Sequence, residues 1–240
     1  MKGLVEKQCL DRRECVVYIP PSAGRTSQVP TVYANGAQEE QMLQIIPKLE
    51  SAFCKGVPPF ALIGVGAEWE RDFSPWPAPA AFHEAGDFPG GAGQYLAFLC
   101  QTLKPWVDQR YPTLPQPAHT GICGYSLGGL AALYALYSTN TFGAVASISG
   151  SLWYEGFLTF MDSHPPMQEH AQVWLSLGRA EEKTRHRLLR RIGDCTREAQ
   201  AILSRQLGHQ IPLVWNDGGH STQVPARKLA ALLWLAEQIA

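Results

Sequence analysis

The stretch that decides the fold is Gly124-Tyr125-Ser126-Leu127-Gly128, which stands between a short apolar run at 120–123 and an Ala-, Leu- and Tyr-rich stretch at 130–137. The run predicts a buried strand and the stretch predicts a helix, so the serine falls on the turn between them. In the pattern G-x-S-x-G the small flanking residues let the strand and helix pack closely, while the sharp turn exposes the serine hydroxyl. The pattern indicates a nucleophilic serine; the alternative is a glycine-rich turn without chemistry.

Length and composition fit one folded unit over residues 1–240. The chain is 45% hydrophobic and 17% charged, which suits a domain with a sizeable core. Lys and Arg number 20 against 21 Asp and Glu, so the net charge of −1 favours neither nucleic acid nor an anionic membrane as partner. Because the sequence has no apolar run long enough for a signal peptide or a membrane span, we expect a cytoplasmic protein. The oligomeric state stays open.

Apolar strand-like runs alternate with helical patterns along the rest of the chain. Strands are predicted at 5–10, 14–20, 31–35, 60–66, 119–124, 143–149, 172–177 and 211–216, and helices at 39–55, 93–111, 182–207 and 224–239. This alternation predicts an α/β fold with a mainly parallel twisted sheet and helices on both faces, opened by an antiparallel hairpin. With the serine turn it resembles the α/β-hydrolase fold.

Three local features qualify this pattern. Pro105 should kink or split the helix predicted at 93–111. The aromatic stretch 66–93 is too long for an ordinary connection, and we expect it to lie over the active site. The six cysteines show no metal-site spacing, so we expect reduced thiols, although Cys9 and Cys15 could face each other in the first hairpin.

Serine needs an adjacent base, and in α/β-hydrolases the serine, the acid and the histidine follow one another in that order. His220 follows the last predicted strand through the loop 216–219, at the end of the sheet where Ser126 should emerge. It is therefore the candidate base rather than a solvated loop histidine. The other histidines either precede Ser126 or stand in polar loops and helices: His83, His119, His164, His170, His186 and His209.

The acid should follow the strand between the serine and histidine strands, where it can orient the imidazole. The strand at 172–177 leads to Glu181 and Glu182, and either glutamate can fill this role. The alternative is that both only favour the start of a helix through its dipole.

A hole for the developing oxyanion needs two backbone N–H groups. One should come from Leu127, directly after the serine, and the other from the loop after the strand at 31–35, where Gly36 or Ala37 is the candidate donor.

Several segments together resemble the esterase D branch of α/β-hydrolases, and within it bacterial siderophore-esterase-like members that include enterobactin esterases. They are the serine turn with Gly129, the stretch 150–154, the substrate-loop-like stretch 71–76 that begins with Arg71, and the acid-bearing turn 177–184, where the match favours Glu181. The resemblance implies hydrolysis of a small-molecule carboxylic ester through an acyl-enzyme, and siderophore-like or aromatic esters are the candidate substrates. It implies no metal and no cofactor.

Aromatic residues could line the substrate pocket: Trp69, Phe73 and Trp76 in the long loop, and Trp153 and Tyr154 after the strand at 143–149. Internal packing is the alternative for each of them. Two further functions stay open at this point. One is acyl transfer by the same machinery, and the other is a non-catalytic binding protein on this scaffold.

Overall fold

The computed structural model describes residues 2–24, 27–81 and 86–240 and places eight strands in one sheet. The strands are Leu4–Leu10 (β1), Arg13–Ile19 (β2), Thr31–Asn35 (β3), Ala61–Val65 (β4), Pro77–Ala78 (β5), Phe88–Pro89 (β6), Thr120–Tyr125 (β7), Ala144–Ile148 (β8), Gln172–Gly178 (β9) and Leu213–Asn216 (β10). The sheet order is β1-β2-β4-β3-β7-β8-β9-β10, and β5 and β6 form a separate ribbon. β2 pairs antiparallel with β1 and β4, and the other neighbours pair in parallel.

Helices cover both faces of this sheet, which confirms the predicted fold class. They are Glu39–Phe53 (α1), Trp69–Asp72 (α2), Ala92–Phe98 (α3), Lys104–Arg110 (α4), Leu127–Ser138 (α5), Phe157–Ser163 (α6), Ile192–Leu207 (α7) and Val224–Gln238 (α8). α1 and α8 bury apolar side chains in one core cluster, and α3, α5, α6 and α7 do so in the other. The central strands are continuous apolar runs because helices bury both of their faces. The division into domains stays a prediction.

One helix prediction was wrong in its start. The chain predicted as helix from 182 is a 3₁₀ turn at Glu181–Lys183, and α7 begins only at Ile192. The carboxylate of Glu181 is engaged by the backbone before it, because the N–H of Gly178 donates to its Oε1 at 2.7 Å. This contact closes a tight turn after β9 in place of the first helical turns.

Pro105 interrupts its helix as expected. A π-helical turn at Leu99–Leu103 separates α3 from α4, and the N–H of Lys104 donates to the carbonyl of Leu99, five residues back. Proline has no N–H to donate, and its ring clashes with the carbonyl four residues earlier in a regular α-helix. The wider turn accommodates it.

The stretch 66–93 carries α2, β5 and β6, and its placement over the active site stays a prediction. Trp69 and Phe73 lie against Gly36, and Phe73 also approaches Gly128 of the serine turn. α2 and Phe73 therefore pack beside the serine turn. His83 lies outside the described residues.

The first hairpin separates its two cysteines. Cys9 pairs with Glu14, and Cys15 pairs with Gln8. Because neighbouring strand residues point to opposite faces, Cys15 lies on the other face of the hairpin from Cys9 and Glu14. The suggestion that the two thiols face each other was wrong. Both are free thiols; Cys15 is buried and Cys9 is exposed.

Candidate active site

Ser126 stands on a strained turn between β7 and α5. Its φ of 58° and ψ of −122° lie in a backbone region that residues other than glycine rarely adopt, and such strain is typical of functional sites. A Cβ on Gly124 would collide with the backbone of Gly128, so the pattern G-x-S-x-G is required by close packing of the strand end against the helix start. The N–H of Ser126 donates to the carbonyl of Ile148 at 3.0 Å, which fixes the turn to the neighbouring strand.

His220 lies beside this serine. Its Nε2 is 3.1 Å from the Oγ of Ser126, within hydrogen-bond distance. The two residues are 94 positions apart in the chain, and they meet because β7 and β10 end at the same edge of the sheet. The imidazole is about half exposed, at 48%, so a substrate can reach the pair.

Glu181 completes a continuous chain of hydrogen bonds. Its Oε2 is 2.7 Å from Nδ1 of His220, while its Oε1 accepts from the N–H of Gly178 at 2.7 Å and from the Oγ of Ser149 at 2.8 Å. Burial opposes ionisation of this carboxyl, but the bonds from His220, Gly178 and Ser149 outweigh it and lower the pKa of Glu181. An ionised carboxylate holds Nδ1 protonated and leaves Nε2 free to accept a proton from the serine.

The neighbouring glutamate points elsewhere. Oε2 of Glu182 accepts from Nη2 of Arg197 at 2.8 Å, and this carboxylate packs against Gly193 at the start of α7. A carboxylate is favoured at a helix N-terminus. The two alternatives that the sequence left open thus apply to different residues: Glu181 contacts His220, and Glu182 contacts the helix start.

Behind Glu181 lies a buried arginine, Arg227, in the first turn of α8. Its Nη1 donates to Oε1 of Glu181 at 3.0 Å and to Oγ of Ser149 at 3.2 Å. Its Nη2 donates to the carbonyls of Asp217 at 2.9 Å and Gly219 at 3.1 Å. We call the segment 217–220 the histidine loop. One guanidinium therefore touches both the acid and this loop.

A second serine lies next to Ser126. The Oγ atoms of Ser126 and Ser151 are 3.4 Å apart, and the N–H of Ser151 donates to the carbonyl of Ser126 at 3.0 Å. Ser151 is buried, with only 3% exposed. It follows β8 and leads into the stretch 152–154.

The predicted oxyanion donors differ in their availability. Leu127 is the first residue of α5, where an N–H has no intrahelical acceptor. The N–H of Gly36, in contrast, donates to the carbonyl of Val65 at 2.8 Å. It is therefore not available to an oxyanion, and the prediction of Gly36 as a donor was wrong. The φ of 68° at Gly36 and the ring of Trp69 where a Cβ would stand explain the glycine. The N–H of Ala37 makes a longer bond of 3.3 Å to Ala34.

Aromatic packing accounts for one of the predicted substrate residues. Trp76 donates its Nε1 to the carbonyl of Glu155 at 3.0 Å and lies 5.4 Å, ring centre to ring centre, from Phe160. The hydroxyl of Tyr154 donates to the carbonyl of Trp76. These contacts fit internal packing, and the substrate role of Trp76 stays a prediction.

A cavity of about 450 Å³ is lined in part by the stretches 78–80 and 152–159. Three aromatic residues form one side of it, which we call the aromatic wall: Phe88, Trp153 and Tyr154. Arg191 and Glu198 contribute charge at its border. Leu152, which directly follows Ser151 in the chain, is among its lining residues, whereas Ser126 and His220 are not. Because the predicted substrate residues Trp153 and Tyr154 line it, the cavity is a candidate for binding part of a substrate.

Arg71 lies away from that cavity. It borders a wider groove of about 950 Å³ that also touches Ala37, and it bonds to Glu68 at 3.3 Å and to Gln94 at 3.4 Å. Its predicted substrate role stays a prediction.

Comparison with known proteins identifies the family of this chain. The family model described as "Putative esterase" matches residues 8–231. The chain belongs to this esterase family. It is accordingly a carboxylic ester hydrolase on an α/β-hydrolase fold.

Three proteins illustrate what this chain is similar to in sequence or in fold. The "Uncharacterized protein YbbA" of Bacillus subtilis is 30% identical over 210 residues, covering 86% of this chain and 84% of the relative. The "Iron(III) enterobactin esterase" of Escherichia coli O6:H1 is 33% identical over 117 residues, covering 40% of this chain and 29% of that protein. The structure of "Siderophore hydrolase EstA from Aspergillus nidulans" matches with a TM-score of 0.80 and 17% identity over 100% of this chain and 95% of that one.

Sequence reasoning about this esterase missed Arg227, Ser149 and Ser151. Arg227 carried a weak signal, because a cation in the first turn of a helix opposes the helix dipole and needs another reason to be there. The two serines carried none, since small polar residues after a strand are common. Within the described ranges, no helix is both long and apolar enough to span a membrane.

Proposed function

We propose that this esterase cleaves its substrates through an acyl-enzyme on Ser126, with His220 as the base and Glu181 as the residue that orients it. The observation that carries the proposal is the unbroken hydrogen-bond chain from Glu181 through His220 to Ser126 at the strained turn. The nucleophile, the base and the orienting group then stand in the order that serine hydrolysis requires.

In the first step Oγ of Ser126 bonds to the ester carbonyl carbon while Nε2 of His220 takes its proton. The carbonyl oxygen becomes an oxyanion, for which the N–H groups of Leu127 and Ala37 are the proposed donors. The imidazolium, stabilised by Glu181, gives the proton to the alcohol oxygen as the carbon–oxygen bond breaks. The alcohol leaves and the acyl group stays on Ser126.

Water completes the cycle. His220 takes a proton from a water molecule as its oxygen attacks the acyl carbon, and the same proton returns to Ser126 as the acid leaves. Transfer to another alcohol would use the same steps with that alcohol in place of water. The half-exposed imidazole favours water as the acceptor.

For the substrate class we propose aromatic or siderophore-like esters. Support comes from the aromatic wall and from relatives named as siderophore or enterobactin esterases. Aromatic rings favour offset or edge-to-face contacts, which Phe88, Trp153 and Tyr154 can offer to a ring of the acyl group or the alcohol.

A panel of activated and natural esters tests the proposal. Ser126→Ala should lose at least about a thousandfold in kcat on every ester that the wild type cleaves. Ser138→Ala, an exposed serine at the far end of α5, is the matched control and should keep wild-type activity. Product analysis with added alcohol should give the free acid as the main product. Full activity of Ser126→Ala would overturn the nucleophile assignment, and a new ester as main product would favour the acyltransferase alternative.

A further inference from the structure

We propose that Arg227 is a positioning residue of the esterase reaction, which holds the acid and the histidine loop in one arrangement. This inference rests on the proposed function of Glu181 and His220. Arg227 does not contact Ser126 in the structure, so its effect must pass through its two sets of partners.

The arrangement of the guanidinium supports this role. Its Nη1 lies on Glu181 and Ser149, and its Nη2 lies on the carbonyls of Asp217 and Gly219. The group is planar and rigid, so fixing one nitrogen fixes the other. The acid and the loop that carries the base are thereby held at a set separation. The side chain is only 1% exposed, which shields these bonds from water.

The histidine loop depends on such external partners. Gly218 and Gly219 have wide backbone freedom, and Gly218 has a φ of 85°. All four carbonyls of the loop accept hydrogen bonds: those of Asp217 and Gly219 from Arg227, that of Gly218 from the N–H of Ala180 at 3.0 Å, and that of His220 from the hydroxyl of Tyr125. The carbonyl of Gly219 also accepts from the N–H of Thr222 at 3.1 Å, so Arg227 supplies two of the five bonds to these carbonyls. Without Arg227 the carbonyl of Asp217 loses its hydrogen bond and that of Gly219 keeps one of two.

The remaining nitrogen of the guanidinium supports the same conclusion. Nε of Arg227 is buried without a partner among the described residues. A buried donor without an acceptor costs free energy. The side chain of Arg227 therefore does not adopt an orientation that satisfies all of its own donors. It matches the positions of Glu181 and the loop carbonyls.

The positive charge has a second effect. Arg227 and His220 both contact the carboxylate of Glu181, through Oε1 and Oε2 respectively. The charged and titratable groups around this imidazole are Glu181 from the turn after β9, Tyr125 from β7, and Arg227 and Lys228 from α8, with Lys228 lying over the Tyr125 ring. Removing Arg227 takes away the cation beside this carboxylate, and a carboxylate without a nearby cation stabilises a neighbouring positive charge more strongly.

Two substitutions separate geometry from charge. Arg227→Met removes both the hydrogen bonds and the positive charge. We expect kcat to fall about a hundredfold with KM within about twofold, because an orienting interaction acts in the transition state. The acid limb of its kcat/KM–pH profile should move to higher pH. Arg227→Lys keeps the charge but cannot span both sets of partners. Its kcat should fall about tenfold, with the acid limb at its wild-type position.

Lys104→Met is the control for a merely structural role. Lys104 is a partly buried cation at the start of α4. Its Nζ donates to Asp108 at 2.6 Å and to the carbonyl of Pro115 at 2.9 Å. It should lose stability in thermal unfolding while kcat stays at the wild-type value. If both Arg227 variants follow this pattern, with lower Tm but unchanged kcat and pH profile, the positioning role is wrong.

Ser126→Ala measured in parallel separates the two proposals. An inactive Ser126→Ala with fully active Arg227 variants would overturn this inference alone. An active Ser126→Ala would overturn the proposed function on which it rests. Should Arg227→Met not fold, the tenfold loss in Arg227→Lys at unchanged Tm still decides the matter.

Discussion

The histidine loop carries the imidazole that contacts Ser126, and the aromatic wall borders the candidate substrate cavity; different forces hold the two regions in place. Every carbonyl of the histidine loop accepts a hydrogen bond, and Glu181 behind it uses both carboxylate oxygens. The aromatic wall is held by ring contacts at centre distances of 5.2–6.5 Å and borders open space of about 450 Å³.

This difference separates chemistry from selection. Hydrogen bonds are directional and weaken steeply when the atoms move, so the loop holds the proton-transfer atoms in one geometry. Ring packing tolerates small shifts of the partners, which suits a surface that accepts ligands. Changes at the loop should therefore lower kcat, and changes at the wall should alter which ester is preferred.

The largest effect is expected from the acid of the histidine region. Glu181→Gln removes the negative charge that stabilises the imidazolium, and kcat should fall about a thousandfold with little change in KM. Glu182→Gln, whose carboxylate bonds to Arg197, is the matched control and should stay near the wild-type rate. Steady-state kinetics on one activated ester makes the comparison. The reverse ranking would move the acid to Glu182, and near-normal rates in both would indicate a serine–histidine dyad.

A smaller effect is expected at the aromatic wall. Trp153→Ala removes one ring contact, so kcat/KM for an ester with an aromatic acyl group or alcohol should fall about tenfold, mainly through KM. The rate on p-nitrophenyl acetate, whose acetyl group is too small to fill the cavity, should change less than the rate on a bulky aromatic ester of the same alcohol. A uniform loss across both esters would mean that Trp153 supports the fold and does not select the substrate.

The smallest effect concerns stability. The pKa of Glu181 is lowered in the folded protein, so its ionised form adds stability at pH values above its unfolded pKa and loses this contribution as the pH falls through the folded value. Urea unfolding of wild type and Glu181→Gln should therefore differ most near pH 7 and converge towards pH 3. A difference that stays constant over this range would contradict the stabilisation of the charged form by His220, Gly178 and Ser149.

The contrast between the two regions also explains what could be predicted from the sequence. Ser126 and His220 follow from local patterns, because a strained turn and the end of the last strand leave a signature in the residues around them. The mainly parallel sheet with helices on both faces follows from the alternation of strands and helices. Glu181 needed the resemblance to known esterases, since two adjacent glutamates satisfy the same spacing.

Other features depend on contacts between distant segments. Arg227 meets Glu181 across 46 positions, and no local pattern marks that contact. Whether the N–H of Gly36 is free depends on its pairing with Val65, which only the sheet register shows. Trp76 and Trp153 look alike in the sequence, yet one is committed to packing against Phe160 and the other faces the cavity.

The central claim is that Ser126 forms the acyl-enzyme, and the closest rival is Ser151, whose Oγ is 3.4 Å away. Labelling with a fluorophosphonate, followed by peptide mapping in a mass spectrometer, identifies the modified side chain directly. We predict one label per chain, on Ser126, with labelling abolished in Ser126→Ala and greatly slowed in His220→Ala. A label on Ser151 or another serine, with Ser126 unmodified, would contradict the account.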